Sequence, residues 1–144
     1  PEKKFDIGLP QQYITPGVHQ RFRDSHGVWI VTRQEGFLVV LSAVCPSCGC
    51  GTRYDSDGHL FICPCDNSRF DADGLVAPHS VARRSLERCH ISQSGRYGQP
   101  NRQLIINPNI RYQQEENEWS AARSMYYFEL SRPGTALTRP RAAG

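Results

Sequence analysis

The chain has 144 residues, 38% of them hydrophobic and 22% charged, with a formal net charge of +3, the composition of one soluble domain with a tail. All but two of its 17 basic residues are Arg, and they are spread along the chain instead of gathered in a stripe with stacking aromatics, which argues against a nucleic-acid binder. The longest apolar run, 37–44, is far short of the about 20 residues of a membrane-spanning helix, and no signal-peptide pattern opens the chain, so any membrane anchor is expected before Pro1.

Strong helical periodicity is missing from the first two thirds of the sequence. Residues 28–31 (Val-Trp-Ile-Val) read as a strand, Gln34-Glu35-Gly36 as a turn and 37–44 as a buried strand, together a hairpin. Asp55-Ser56-Asp57-Gly58 is a turn into a short strand at 59–62, and Asp71-Ala72-Asp73-Gly74 is the next turn. Further strands are predicted at 86–91 and 103–106, on either side of the loop 92–100. Many short strands with regular turns indicate an antiparallel all-β sandwich or small barrel. After Asn107 the character changes. Residues 113–125 are polar and read as a helix, favoured by Glu115, Glu116, Ala121 and Ala122. Residues 126–130 read as a late strand, and 131–144 are expected to be extended or disordered. The chain thus divides into a β domain, 1–107, and a C-terminal extension, 108–144, partly helical and then irregular.

Cysteine is the anomaly. Cys45, Cys48, Cys50, Cys63 and Cys65 crowd together, while Cys89 stands apart in a strand and reads as a core residue. Such crowding points to metal, disulfide or redox chemistry. The pieces Cys45-Pro46-Ser47-Cys48-Gly49-Cys50 and Cys63-Pro64-Cys65-Asp66-Asn67-Ser68 each follow a predicted strand, so two loops should project from neighbouring strand ends.

This pattern resembles the Rieske iron–sulfur proteins of cytochrome bc complexes, whose loops read Cys-x-His-x-Gly-Cys and Cys-Pro-Cys-His-x-Ser. The resemblance covers 5–107 and takes in Phe22-Arg23, Gly27-Val28-Trp29-Ile30-Val31, Ser42-Ala43-Val44, Ser68-Arg69-Phe70-Asp71, Gly74 and Leu86-Glu87-Arg88. It implies a Rieske-like antiparallel β sandwich with both cysteine loops at one tip. In that family one iron is held by two Cys and the other by two His. The cysteine ligands map to Cys45 and Cys63, and the loop-bridging disulfide maps to Cys50 and Cys65. Ser68 matches a serine that bonds cluster sulfide, and Phe70 stands where many members have a tyrosine. The two histidine positions hold Ser47 and Asp66.

That departure leaves three readings of the site. In the leading one no cofactor is bound: Cys50–Cys65 closes the loops, the vacated Cys45 and Cys63 can form a second bridge, and Ser68 caps its turn. In the second, Cys45-Pro-Ser-Cys48-Gly49 has the spacing of a zinc or rubredoxin knuckle, and Cys63 with Cys65 or Asp66 completes a tetrahedron around one Zn or Fe ion. In the third, an unusual [2Fe–2S] cluster uses some of Cys48, Cys65 and Asp66. A thiol redox module, in which Cys48 exchanges with a neighbouring disulfide, is a further class. His19, His26, His59, His79 and His90 read as surface or core residues rather than ligands.

Members of the resembled family carry one electron from quinol to a cytochrome, with an exposed histidine ligand at the quinone. With Ser47 and Asp66 in those places, the expectation is a degenerate, non-catalytic subunit with a structural or assembly role. Its setting would be an extracytoplasmic, membrane-associated electron-transfer complex, and its partners the other subunits, with neither nucleic acid nor a small-molecule substrate. An electron carrier with an altered metal centre is the alternative. Trp119, Tyr126, Tyr127 and Phe128 are expected either to form partner surface or to pack back on the domain.

Overall fold

Consecutive apolar residues at 28–31 and 37–41 mean that both faces of one hairpin are covered, since neighbouring side chains on a strand point to opposite faces. The structure, a computed structural model, describes residues 3–115 and 121–128. Its strands in chain order are β1 (Phe5–Gly8), β2 (Gly17–His19), β3 (Val28–Arg33), β4 (Phe37–Ser42), β5 (Arg53–Asp55), β6 (Leu60–Ile62), β7 (Arg69–Phe70), β8 (Arg88–Gln93), β9 (Leu104–Tyr112) and β10 (Met125–Tyr127), with one-turn helices α1 (Arg23–His26) and α2 (Ala121–Ser124). The large antiparallel sheet has the order β1-β9-β8-β4-β3-β2, with β10 also on β4, and a small sheet has the order β5-β6-β7.

The central hairpin divides its side chains between two cores. Val28, Ile30, Leu38 and Val40 pack with Ile7, Cys89, Ile91, Leu104 and Ile106, where the large sheet curls on itself. Trp29, Val31, Val39 and Leu41 face the other way and pack with Phe61, Phe70 and the first cysteine of each loop, Cys45 and Cys63. The second core therefore mounts the small sheet, and the loops it carries, on the large one. Trp29 and Phe61 meet at a ring separation of 5.1 Å, and Tyr54 lies 5.2 Å from Phe61.

Two expectations for the C-terminal third change. The strand predicted to end at Ile106 runs on to Tyr112, across the 107/108 division, because β8 pairs with it as far as Arg88↔Tyr112 through an irregularity at Cys89/His90. A bulge of this kind admits the Asn107-Pro108-Asn109 sequence into the strand. The helix predicted over 113–125 is present among the described residues only as α2, and Met125 opens a strand. The reason is an open edge: β8 meets β4 only at Leu41↔Arg88. The pairs Met125↔Val39, Tyr126↔Leu38 and Tyr127↔Phe37 occupy the rest, satisfying backbone groups that burial would otherwise leave without partners. Phe128 is buried in the first core and Tyr126 packs against it, whereas Tyr127 is exposed. Trp119 and the expected irregular segment 131–144 lie outside the described residues.

One polar junction ties the hairpin to the chain leaving the first cysteine loop. The Trp29 Nε1–H donates to Thr52 Oγ1 at 3.0 Å, and that hydroxyl donates to Ala43 O at 2.7 Å. Arg23, stacked 5.5 Å from the Trp29 ring, donates from Nε and Nη2 to Thr52 O at 2.9 and 2.7 Å. Thr52→Val keeps the shape but strands the buried indole N–H. It should cost about 1–3 kcal/mol, read as a lower urea midpoint at unchanged slope; an unchanged midpoint would show that the junction contributes nothing.

Candidate functional site

The loops 45–50 and 63–68 are built alike. In the first, the Cys45 N–H donates to Cys50 O at 2.8 Å and the Gly49 N–H to Cys45 O at 2.9 Å. In the second, the Cys63 N–H donates to Ser68 O at 2.8 Å and the Asn67 N–H to Cys63 O at 2.9 Å. The fifth residue of each turns with positive φ, Gly49 at +81° and Asn67 at +63°, conformations that glycine and asparagine tolerate best. The N–H groups of the third and fourth residues hydrogen-bond the first sulfur, from Ser47 and Cys48 to Cys45 and from Cys65 and Asp66 to Cys63.

Cys50 and Cys65 form the disulfide that the family resemblance implies, with Cα atoms 6.4 Å apart. The second bridge that the sequence allowed is not formed: Cys45 and Cys63 are buried thiols. The Cys63 sulfur lies 3.3 Å from that of exposed Cys48. Cys65, held in the disulfide, is likewise not free to serve as a metal ligand. The two positions that would carry imidazoles are bonded to each other, the Ser47 hydroxyl donating to the Asp66 carboxylate across the loops. Asp66 also accepts from the Ser68 N–H at 2.9 Å and lies 3.9 Å from the Cys45 sulfur.

These contacts set the acidities. Burial raises the Cys45 thiol, but its contact with the Ser47 side chain and hydrogen bonds from the N–H groups of Ser47 and Cys48 outweigh it, and the net displacement is downward. Burial dominates at Cys63 and holds that thiol well above its ordinary value. The Ser47 hydroxyl, followed by the Ser68 N–H, holds the Asp66 carboxyl far below the usual carboxylate range.

A third segment, the cover (residues 71–86), packs beside the loops, with Ala82 and Leu86 in the core that holds Cys45 and Cys63. The Ser68 hydroxyl is buried and accepts from the Ala82 N–H at 2.9 Å, so it holds this cover rather than capping its own turn as expected. The cover is fixed from a direction the sequence does not signal. Gln114 Nε2 donates to Leu86 O at 2.8 Å and to Asp73 O at 3.1 Å, and Glu115 Oε2 accepts from the Ser85 N–H at 2.8 Å. Gly74, at φ +81°, passes so close to Leu41 that a Cβ there would sit 2.8 Å from Leu41 Cδ1.

Among the described residues, the groups able to hold a metal are Cys45, Cys48, Cys63, Asp66 and Cys48, Cys50, Cys63, Cys65. Neither contains a histidine, and the second includes the oxidised pair. The histidines are engaged elsewhere or exposed: His19 contacts Thr15 O, His26 stacks on Phe5, His59 faces Tyr54, His90 faces the Tyr112 hydroxyl and His79 is exposed. A cluster needing two imidazoles therefore does not fit this donor set.

No protein-family model matches the chain. Over 65 residues it is 44% identical to the cytochrome b6-f complex iron-sulfur subunits of Prochlorococcus marinus strain MIT 9515 and subspecies pastoris, matches covering 44% of this chain and 36% of each relative. The same subunit of strain AS9601 is 44% identical over 51 residues, 35% of this chain and 28% of that one. The matches thus span about a third of the length of these relatives. Among solved structures, the cyanobacterial plasma membrane Rieske protein PetC3 of Synechocystis PCC 6803 aligns over 72% of this chain and 98% of its own, at 18% identity and a TM-score of 0.42.

The disulfide closes a sequence separation of 15 residues, worth about 3 kcal/mol on the chain-entropy account. Replacing both Cys50 and Cys65 by Ala should lower the unfolding free energy by that amount and abolish the sensitivity of the urea midpoint to thiol reductant. A midpoint indifferent to both changes would contradict the bridge.

Proposed function

We propose that this chain is a degenerate member of the Rieske iron–sulfur protein family, supported by its 44% identity over 65 residues to cytochrome b6-f iron-sulfur subunits, that does not carry the family's histidine-ligated [2Fe–2S] cluster and serves a structural or assembly role. The observation that carries this reading is the bond between Ser47 and Asp66. The two residues at the outer-iron positions satisfy each other across the space where imidazoles would meet that iron. Neither supplies the ring nitrogens that such a centre requires, so no quinol proton or electron is routed through this tip.

The setting follows the relatives, which are iron–sulfur subunits of cytochrome b6-f complexes. In this reading the partners are the other subunits of a membrane electron-transfer complex. The chain sits on the extracytoplasmic side, where a disulfide persists, held through those partners or an anchor preceding Pro1. Among the described residues no helix is long and apolar enough to cross a membrane. Val44, next to Cys45, and Val81, in the cover, are exposed, as suits a tip that docks on an apolar partner surface.

Dithionite-reduced protein, purified without chelators, should lack the rhombic paramagnetic resonance signal of a histidine-ligated cluster. The Ser47→His, Asp66→His double variant should acquire it on reconstitution with iron and sulfide. That signal in the unaltered chain would overturn the reading. The assembly role is checked by native-gel fractionation of mildly solubilised membranes. Comigration with the cytochrome subunits is expected, and recovery only as free monomer would contradict it.

A further inference from the structure

We propose that Cys45, Cys48, Cys63 and Asp66 form a mononuclear site for one divalent transition ion, with Zn²⁺ the ion that the donor set favours. The inference rests on the reading that the histidine-ligated cluster is absent, and adds what replaces it.

The symmetry of the loops carries it. Each loop offers its first residue, Cys45 or Cys63, buried, with two backbone N–H groups on the sulfur. Each also offers its fourth residue, Cys48 or Asp66, which is not buried. The resemblance places the lost histidine of the first loop at Ser47, the third position. A metal-binding side chain reappears one residue later, at Cys48, where the loop's twofold counterpart is Asp66. Ligands thus stand at positions one and four of both loops, the Cys-x-x-Cys spacing that aims two side chains at one ion.

The geometry suits one ion rather than two. The four ligand atoms all lie within 4.8 Å of one another; Zn–S bonds of about 2.3 Å give a tetrahedron with edges of about 3.8 Å. Two irons with bridging sulfides would hold the ligands of one iron, Cys45 and Cys63, farther from the ligands of the other than the spacing of Cys45, Cys48, Cys63 and Asp66 allows. Measured pairs straddle the tetrahedral edge: 3.3 Å between the sulfurs of Cys48 and Cys63, and 3.9 Å from the Cys45 sulfur to Asp66 Oδ2. Three soft thiolates and one carboxylate in a tetrahedron are a zinc-type donor set.

The surroundings are those of a supported site. Metal-bound carboxylates are themselves hydrogen-bonded, and Asp66 accepts from the Ser47 hydroxyl and the Ser68 N–H. Each carboxylate oxygen has two lone pairs, so these bonds leave capacity for a metal. Ser47 is thus a positioning residue that orients a ligand. The Cys50–Cys65 bridge keeps the loops opposed, and exposed Cys48 leaves the ion a route in from solvent.

The test uses the full chain, purified without chelators or thiol reductants, with metal and acid-labile sulfide measured together. One zinc per chain and no sulfide is expected. Cys48→Ala should abolish retention, and Ser47→Ala should weaken Zn²⁺ binding by about 10–100-fold, the usual effect of losing an outer partner. Cys89→Ser should change neither. Where Cys48→Ala folds poorly, Co²⁺ added to chelator-stripped wild-type protein provides an independent reading, through thiolate-to-cobalt absorption of a tetrahedral site. Wild-type protein free of metal that also fails to bind Co²⁺ would overturn this inference alone. Full zinc in Cys48→Ala would overturn the ligand assignment. Two irons with two sulfides would overturn both this inference and the absence of a cluster. One iron without sulfide would uphold the site and overturn zinc as its ion.

Discussion

Loops 45–50 and 63–68 face each other because Phe61 packs on Trp29 at a ring separation of 5.1 Å and because Cys50 is bonded to Cys65. The aromatic contact seats the small sheet on the hairpin β3–β4, and the covalent bond fixes one loop over the other. The rest of the tip depends on that opposition. It places the Cys48 sulfur beside that of Cys63, and the Ser47 hydroxyl against Asp66. Neither contact is local in sequence, so neither would survive a loop turned aside.

On the proposed reading, the chemistry of the tip has shifted while its frame has stayed. Backbone N–H groups converge on the Cys45 and Cys63 sulfurs in both loops. In the proposed reading, imidazole has given way to a hydroxyl and a carboxylate that bond to each other, and a thiol, Cys48, stands one residue from the position of the lost ligand. A frame that holds two loops rigidly can exchange one donor set for another, because ligand type rather than fold decides which metal is bound.

Much of the fold was legible where burial leaves a period or a run. The continuous apolar stretches in 28–31 and 37–44 marked a hairpin covered on both faces, and the crowded cysteines with their flanking strands marked the site. The short elements β1, β2, β5, β7 and α1 gave no such signal, since two to four residues carry too little pattern to separate strand from loop. Within the helix predicted over 113–125, residues 121–124 form α2, but Met125 joins Tyr126 and Tyr127 on a vacant length of β4, a tertiary demand that outweighs propensity. The strand predicted at 103–106 runs on through Asn107-Pro108-Asn109 because β8 pairs with it across a bulge. At the site, the two crowded cysteine loops were legible in the sequence, but the Ser47–Asp66 bond and the anchoring of the segment 71–86 by Gln114 and Glu115 depend on groups brought together across 19 to 41 positions of the chain.

The central claim, a Rieske frame whose tip has exchanged the histidine-ligated cluster for another donor set, is tested most directly by X-ray absorption at the metal edges of the purified protein. The account predicts a single metal shell of sulfur with one oxygen, and no metal–metal scattering. Iron with nitrogen neighbours and an iron–iron path would contradict it.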